Sequence, residues 1–140
     1  MGVVIMVLMK TDIKAIKKLN KQIKKISRED KKKLCKDIAT ETASVLLRRV
    51  KQKTPVDTGN LRRNWSFKGQ LLNRGYEVTV FNQTEYAPYV EYGHRLKTRN
   101  GYKWIKGHYM LTKSQKETLD LYTKIVTKHV NNYLGGLLNE

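Results

Sequence analysis

The segment Thr54-Pro-Val-Asp-Thr-Gly-Asn-Leu61, which we call the first motif, is typical of a turn and lacks the apolar periodicity of a helix or strand. Pro55 fixes its own φ and stops a preceding helix at this point. Asp57 is suited to accept backbone N–H groups, as an Asx-turn or a helix N-cap, and Gly59 permits a positive φ. The first motif therefore predicts a specific change of chain direction.

A second segment of the same kind, Asn82-Gln-Thr-Glu-Tyr-Ala-Pro-Tyr-Val-Glu-Tyr-Gly93, follows in the chain, and we call it the second motif. Pro88 and Gly93 again restrict the backbone path. We expect residues 86–92 to form a compact turn or a single helical turn that buries its aromatic rings.

Together the two motifs resemble the signature of the HK ninety-seven gene-product-ten family of phage neck or tail-completion proteins. Members carry a P-x-D-T-G-x-L turn and then an N-x-x-x-Y-A-x-x-x-E-x-G run, and this chain fills every position. The matching residues are Pro55, Asp57, Thr58, Gly59, Leu61, Asn82, Tyr86, Ala87, Glu91 and Gly93. The resemblance implies a structural protein of the virion with no catalytic activity and no cofactor.

The same resemblance implies where the protein acts and what it contacts. We expect a homo-oligomeric ring at the head–tail junction, with neighbouring copies, the head-side connector and the tail terminator as partners. Before assembly the subunit would reside in the host cytoplasm. A single cysteine, Cys35, fits that reducing compartment, and its place among apolar residues favours a core thiol over an intermolecular bridge.

The composition predicts one small basic domain, residues 1–140. The net charge of +17 predicts attraction to anions, which leaves a non-specific contact with DNA open. Residues 1–54 carry 16 Lys and Arg against 5 Asp and Glu, a net of +11. Their basic faces are either solvated surface, the favoured interpretation, or a face for DNA or an acidic partner ring. Aromatic residues are absent from 10–54, which disfavours base stacking there.

The leading part of the chain predicts a strand and two helices. Residues 1–11 begin with a β-branched apolar run, which we interpret as an edge strand or an extended lead-in that is too short to cross a membrane. Apolar residues at spacings of three and four predict a basic amphipathic helix over residues 12–26. Ser27-Arg-Glu-Asp30 resembles a capping box and predicts a second helix that ends near Lys53. The two basic helices thus span residues 12–53.

The remaining chain, residues 54–107 and 108–140, predicts a hairpin, a basic loop and a last helix. Alternating β-rich residues in Tyr76–Phe81 and an extended piece at 65–68 form the hairpin, which must pack on the helices. The last helix spans residues 108–134 and is stopped by Gly135-Gly136, leaving 135–140 as a tail. The fold class is therefore α+β, with long amphipathic helices packed on a small antiparallel sheet.

Residues 94–107 are basic and also carry aromatic rings. We interpret them as a β-hairpin arm with a mobile tip at Gly101, which orders against a neighbouring subunit. A nucleic-acid contact and a plain surface loop covering the core edge are the alternatives. The candidate contact residues for assembly or nucleic acid are Arg95, Lys97, Arg99, Tyr102, Lys103, Trp104 and Lys106.

No catalytic or metal site is predicted. His94, His108 and His129 have no metal-ligand spacing with one another or with Cys35. The Asp57-Thr58-Gly59 sequence resembles an aspartic-protease loop, but it lacks the matched second carboxylate of those enzymes. We therefore predict no enzyme activity. A small basic nucleic-acid-binding protein is the alternative function, and a nuclease or toxin-like enzyme is the second competitor.

Glu91 is an acid set among tyrosines, and two interpretations of it are considered. It is either a general acid or metal ligand, or a structural acceptor of hydrogen bonds. The second interpretation is favoured. Its carboxylate would bind backbone N–H groups, or an arginine such as Arg62 or Arg63, and so lock the second motif against the first.

Overall fold

The computed structural model describes residues 5–12 and 27–138, and confirms the α+β class. In chain order the elements are β1 (Ile5–Asp12), α1 (Arg28–Lys53), α2 (Asn60–Arg63), β2 (Trp65–Leu72), β3 (Gly75–Asn82), α3 (Ala87–Tyr92), β4 (Gly93–Thr98), β5 (Gly101–Lys106) and α4 (Met110–Leu138). The basic helix expected over residues 12–26 lies outside the described residues, apart from Asp12, which ends β1.

The first sheet has three antiparallel strands in the order β1-β3-β2. Val80 at the centre of β3 pairs with Val7 of β1 on one side and with Phe67 of β2 on the other. The leading strand thus adds a third strand to the predicted hairpin, which a two-stranded sheet needs in order to be stable. The second sheet is the separate hairpin β4–β5.

Helix α1 organises the core because its buried stripe packs on two partners. Ser27 caps the helix, with its Oγ accepting a hydrogen bond from the Asp30 N–H at 3.1 Å. Toward its C-terminal half, Leu46 and Val50 pack with Trp65 and Val80 of the sheet. Toward its N-terminal half, the buried residues Leu34, Cys35 and Ile38 pack against Ile125, Val126 and Val130 of α4. Cys35 is therefore a core thiol, as the sequence favoured.

Ion pairs between α1 and α4 lie beside this packing. Glu41 of α1 contacts Lys128 and His129 of α4, and Glu117 of α4 contacts Lys53 and Arg49 of α1. The hydrogen bond from Lys128 to Glu41 lowers the pKa of that carboxyl, and the hydrogen bond from Lys53 does the same for the pKa of Glu117. Glu41 precedes Arg49 and Lys53 along α1, whereas its partners Lys128 and His129 follow Glu117 along α4. The two helices therefore run antiparallel.

The expected helix stop at Gly135-Gly136 is wrong, because α4 continues through both glycines to Leu138. Tyr133 and Leu134 pack against the α1–α4 cluster, and this burial holds the backbone helical just before the glycines. Glycine lowers helix stability but does not forbid the conformation, so tertiary packing overrides the stop signal.

Replacing Gly135 or Gly136 with alanine should therefore stabilise the protein. No heavy atom lies within 4 Å of the point that a Cβ would occupy at either position, so the methyl group meets no clash. We expect a gain of about 0.5–1 kcal/mol for each change, measured by urea denaturation. Gly59→Ala is the control and should lose stability, because Gly59 has φ 79°. A lower stability of both α4 variants would show that the helix ends before residue 135.

Candidate functional site

Thr54 anchors the first motif to the end of α1 and to the start of β2. Its Oγ1 donates to the Val50 carbonyl at 2.6 Å and accepts the Trp65 Nε1–H at 2.9 Å. Gly59 then takes φ 79° as the N-cap residue that precedes α2. A Cβ at this position would lie 2.6 Å from Nη1 of Arg63, which packs back on the motif. The positive φ therefore favours glycine here, whereas the Arg63 side chain is flexible and could move away from a Cβ.

Asp57 does not cap a helix, contrary to the sequence expectation. Its side chain is exposed, and Gly59 occupies the N-cap position of α2 with no side-chain cap. The Asn60 N–H instead reaches the Oγ1 of Thr58 at 3.3 Å. Within the described part of the chain Asp57 makes no hydrogen bond, so this turn is held by Thr54, Gly59 and the following residues.

Asn82 joins the first motif to the second. It is fully buried at the end of β3, where its Nδ2 donates to the Leu61 carbonyl at 2.7 Å. Its Oδ1 accepts the Thr84 N–H at 2.9 Å, and this contact shapes the turn into α3. One amide side chain thus satisfies a backbone group on each side of the joint. Sequence reasoning placed Asn82 in the motif but did not assign it this role.

Glu91 accepts backbone N–H groups, as one of the two expectations had it, but these groups belong to α4, so the expected lock of the second motif against the first, through Arg62 or Arg63, is wrong. The residue is fully buried, and its carboxylate accepts the N–H groups of Leu111 and Thr112, both at 2.9 Å, and the Thr112 hydroxyl at 2.7 Å. The first N–H groups of a helix have no partner within the helix and carry partial positive charge. Glu91 therefore caps α4 from a distant part of the chain.

The backbone closes the base of the hairpin beside Glu91. The N–H groups of His108 and Tyr109 donate to the carbonyls of Val90 and Glu91, at 2.8 and 3.0 Å. Gly93 and Gly107 meet at this base. A Cβ on Gly93 would overlap the backbone at the end of β5, and a Cβ on Gly107 would overlap the backbone at the end of α3. The sequence motif included Gly93, whereas Gly107 was missed. Its only sequence signal is its place at the end of the basic stretch.

The tyrosine rings of α3 are exposed, which corrects the expectation that this turn buries them. Tyr86, Tyr89 and Tyr92 are 43%, 58% and 53% exposed, whereas Ala87 between them is fully buried. The helix thus buries Ala87 and Glu91 and presents its rings outward. Beside it the two motifs border an open cleft of about 240 Å³, lined by Pro55, Val56, Asp57, Thr58, Gly59, Asn60, Leu61, Tyr86 and Val90.

The candidate contact residues of the basic stretch lie on β4–β5 and its turn. Arg95 faces Trp104 and Lys97 faces Tyr102 across the two strands. Lys106 shares their face by strand alternation, whereas Lys103 points to the opposite face with His94. Arg99 lies in the connecting turn. The predicted hairpin is therefore present, and it sorts these residues onto two faces.

The described residues contain no group of three or more His, Cys, Asp or Glu side chains placed to hold a metal ion. In the same part of the chain, no helix has both the length and the apolar run needed to cross a bilayer.

Replacing Asn82 with alanine should destabilise the protein by about 1–3 kcal/mol, because the buried Leu61 carbonyl would lose its partner. The matched change Asp57→Ala in the first motif should alter stability by less than about 0.5 kcal/mol, since it removes an exposed side chain. Urea denaturation of both variants tests the pair. Equal losses of stability in the two variants would contradict the conclusion that the Asn82 side chain holds the first motif against the second.

Glu91→Gln should also lower stability by about 1–3 kcal/mol, since the new amide group places a donor against an N–H of α4. Glu117→Gln is the control, because Glu117 is a partly exposed acid of α4 that pairs with Arg49 and Lys53, and it should have a smaller effect. Thermal and urea melts give the comparison. A Glu91→Gln variant as stable as the wild type would refute the capping role.

Comparison with known proteins identifies the family. No curated protein and no solved structure gives a significant match. A family model described as "Bacteriophage HK97-gp10, putative tail-component" matches residues 17–93, which is more than half of the chain and includes both motifs. Residues 94–140, with β5, α4 and all of β4 except Gly93, lie beyond the match. The chain belongs to the HK97-gp10-like family of bacteriophage tail components, and its role is accordingly that of a structural protein of the virion.

Proposed function

We propose that this protein forms a homo-oligomeric ring at the head–tail junction of a phage or prophage virion. The ring would lie between the head-side connector and the tail terminator and complete the tail or join it to the head. The protein acts in this proposal as a scaffold and not as an enzyme. Membership of a tail-component family supports a virion role, and the surface of the subunit supports the finer proposal.

The observation that best supports this proposal is the concentration of exposed apolar side chains in one short segment. Seven of the ten large hydrophobic residues exposed in the described part of the chain fall between residues 86 and 109. They are Tyr86, Tyr89, Tyr92, Leu96, Tyr102, Trp104 and Tyr109. Tyrosine and tryptophan are enriched at protein interfaces and often dominate their binding energy. A segment of this composition is suited to contact a neighbouring subunit or an assembly partner.

The charge of the subunit constrains how such a ring would form. Each copy carries +17, so neighbouring copies repel one another in free solution at low salt. An acidic surface on the head-side connector or the tail terminator would offset this repulsion. We therefore propose that the subunit is monomeric when free and assembles on a preformed template, with the tyrosines of α3 making the contacts between subunits.

The double variant Tyr89→Ala, Tyr92→Ala should block head–tail joining. It removes two exposed rings from α3, so the fold should persist while the proposed contact loses its aromatic anchors. A phage that lacks this gene is complemented with each variant, and joined particles are counted by electron microscopy alongside the infectious titre. We expect separate heads and tails and a titre reduced by at least tenfold.

Leu119→Ala is the matched control, because Leu119 is similarly exposed on α4 but lies outside the aromatic segment. This control should restore joined particles at the wild-type titre, and thermal melts should confirm that both proteins fold. Joined, infectious particles from the phage that lacks the gene entirely would contradict the proposed function. If the phage that lacks the gene does not join heads to tails but the tyrosine variant restores joining, only the proposed subunit contact through Tyr89 and Tyr92 is contradicted.

A further inference from the structure

The hairpin β4–β5 has one face with a composition unlike that of the other. Strand alternation places Arg95, Lys97, Tyr102, Trp104 and Lys106 together, and we call this set the outer face. The guanidinium of Arg95 lies 4.4 Å from the ring centre of Tyr102, which verifies that residues from the two strands share this face.

The opposite face contacts the body of the protein at the base of the hairpin, whereas Leu96 and Lys103 nearer the tip are exposed. His94 and Ile105 are half-buried at the base of the hairpin, and the Tyr89 ring contacts the His94 ring edge to face at 5.7 Å. In contrast, Tyr102 and Trp104 are 63% and 62% exposed. The base of the hairpin is thus anchored through one face, and the outer face is open to a ligand.

We propose that the outer face binds a single strand of nucleic acid, with the two rings stacking on bases and the three cations contacting phosphates. Single-strand sites combine these two features, aromatic platforms and a positive track for the backbone. Residues 93–106 contain five Lys and Arg and no Asp or Glu, so an anion approaching this hairpin meets no repelling carboxylate there.

The geometry of the strand supports two separate stacking positions. Residues two apart on one strand project from the same face about 6.8 Å from each other, so the Tyr102 and Trp104 rings do not cover one another. The guanidinium of Arg95 lies over the Tyr102 ring, which keeps one of the phosphate-binding cations beside this stacking position. Because stacking needs unpaired bases, this face should prefer a single strand to a duplex.

The charge and the rings together favour a nucleic acid over an acidic protein. The subunit as a whole carries +17, which suits a long polyanion with evenly spaced charge. The contact would need neither base-specific hydrogen bonds nor a ring of subunits, and it extends the function of the free subunit beyond its proposed structural role. Stacking contacts of this kind tolerate any base.

Tryptophan fluorescence offers a direct test with the full-length protein. The chain has two tryptophans, of which Trp65 is buried and Trp104 lies on the outer face. Titration with oligo-dT or oligo-dA should quench the exposed tryptophan, whereas polyglutamate of equal charge should bind more weakly and quench little. A duplex of the same length should also bind more weakly than the single strands. Quenching by polyglutamate at equal affinity would overturn the proposal and identify an acidic protein as the partner.

Variants separate this face from the general charge of the protein. Trp104→Ala should weaken binding of a labelled oligo-dT by roughly tenfold in fluorescence anisotropy, because it removes one stacked base. Lys97→Ala and Lys103→Ala remove the same charge from opposite faces. We expect Lys97→Ala to reduce the salt slope by about 0.7 and Lys103→Ala to leave it nearly unchanged. Equal effects of the two lysine variants, or full affinity of Trp104→Ala, would overturn the proposal.

These measurements use the free subunit, and the complementation assay measures joined particles, so the two proposals fail separately. Loss of oligonucleotide binding by Trp104→Ala with normal particle joining would support the nucleic-acid contact alone. Thermal melts and the emission of buried Trp65 should show that each variant is folded before its binding is compared.

Discussion

The buried carboxylate of Glu91 is the interaction on which the arrangement of the second half of the chain depends. It binds the first N–H groups of α4 and so fixes where that helix begins. A charge with no exposure to water would be costly without such partners, and here it accepts two N–H groups and one hydroxyl at the positive end of a helix dipole. The long helix, its packing on α1 and the base of the hairpin all follow from this placement.

The backbone hydrogen bonds beside Glu91 also explain why the hairpin is held at its base. The chain leaves α3 at Gly93, makes the two strands of β4–β5 and returns at Gly107, where the backbones are in contact. Tyr109 adopts φ 52°, which is uncommon for a residue with a Cβ, and its N–H is bonded to the Glu91 carbonyl. The surrounding hydrogen bonds hold this conformation, so the hairpin extends from a rigid base with its outer face free.

Local sequence patterns predicted those elements whose stability is itself local. The capping residue Ser27, the strand β3 and the apolar spacing of α1 are all present as expected, whereas the predicted half-buried alternation of β3 is wrong, because Val78, Thr79 and Val80 are buried in succession. Predictions failed where packing competes with a local signal. Gly135 and Gly136 are helical because neighbouring residues of α4 are buried against α1, and the tyrosines of α3 are exposed because Ala87 and Glu91 are the residues that this helix buries.

By itself the sequence determined the α+β class, the positions of both turn motifs, and the family, since these depend on residue spacing along the chain. It also favoured a structural acceptor role for Glu91 but did not show which N–H groups this residue binds. That pairing joins residues 20 apart, and the bond from Asn82 to the Leu61 carbonyl joins residues 21 apart. Only the tertiary structure decided these partners and placed both rings and three of the five cations of the hairpin on one face, because both depend on which segments meet in space and no local pattern encodes that.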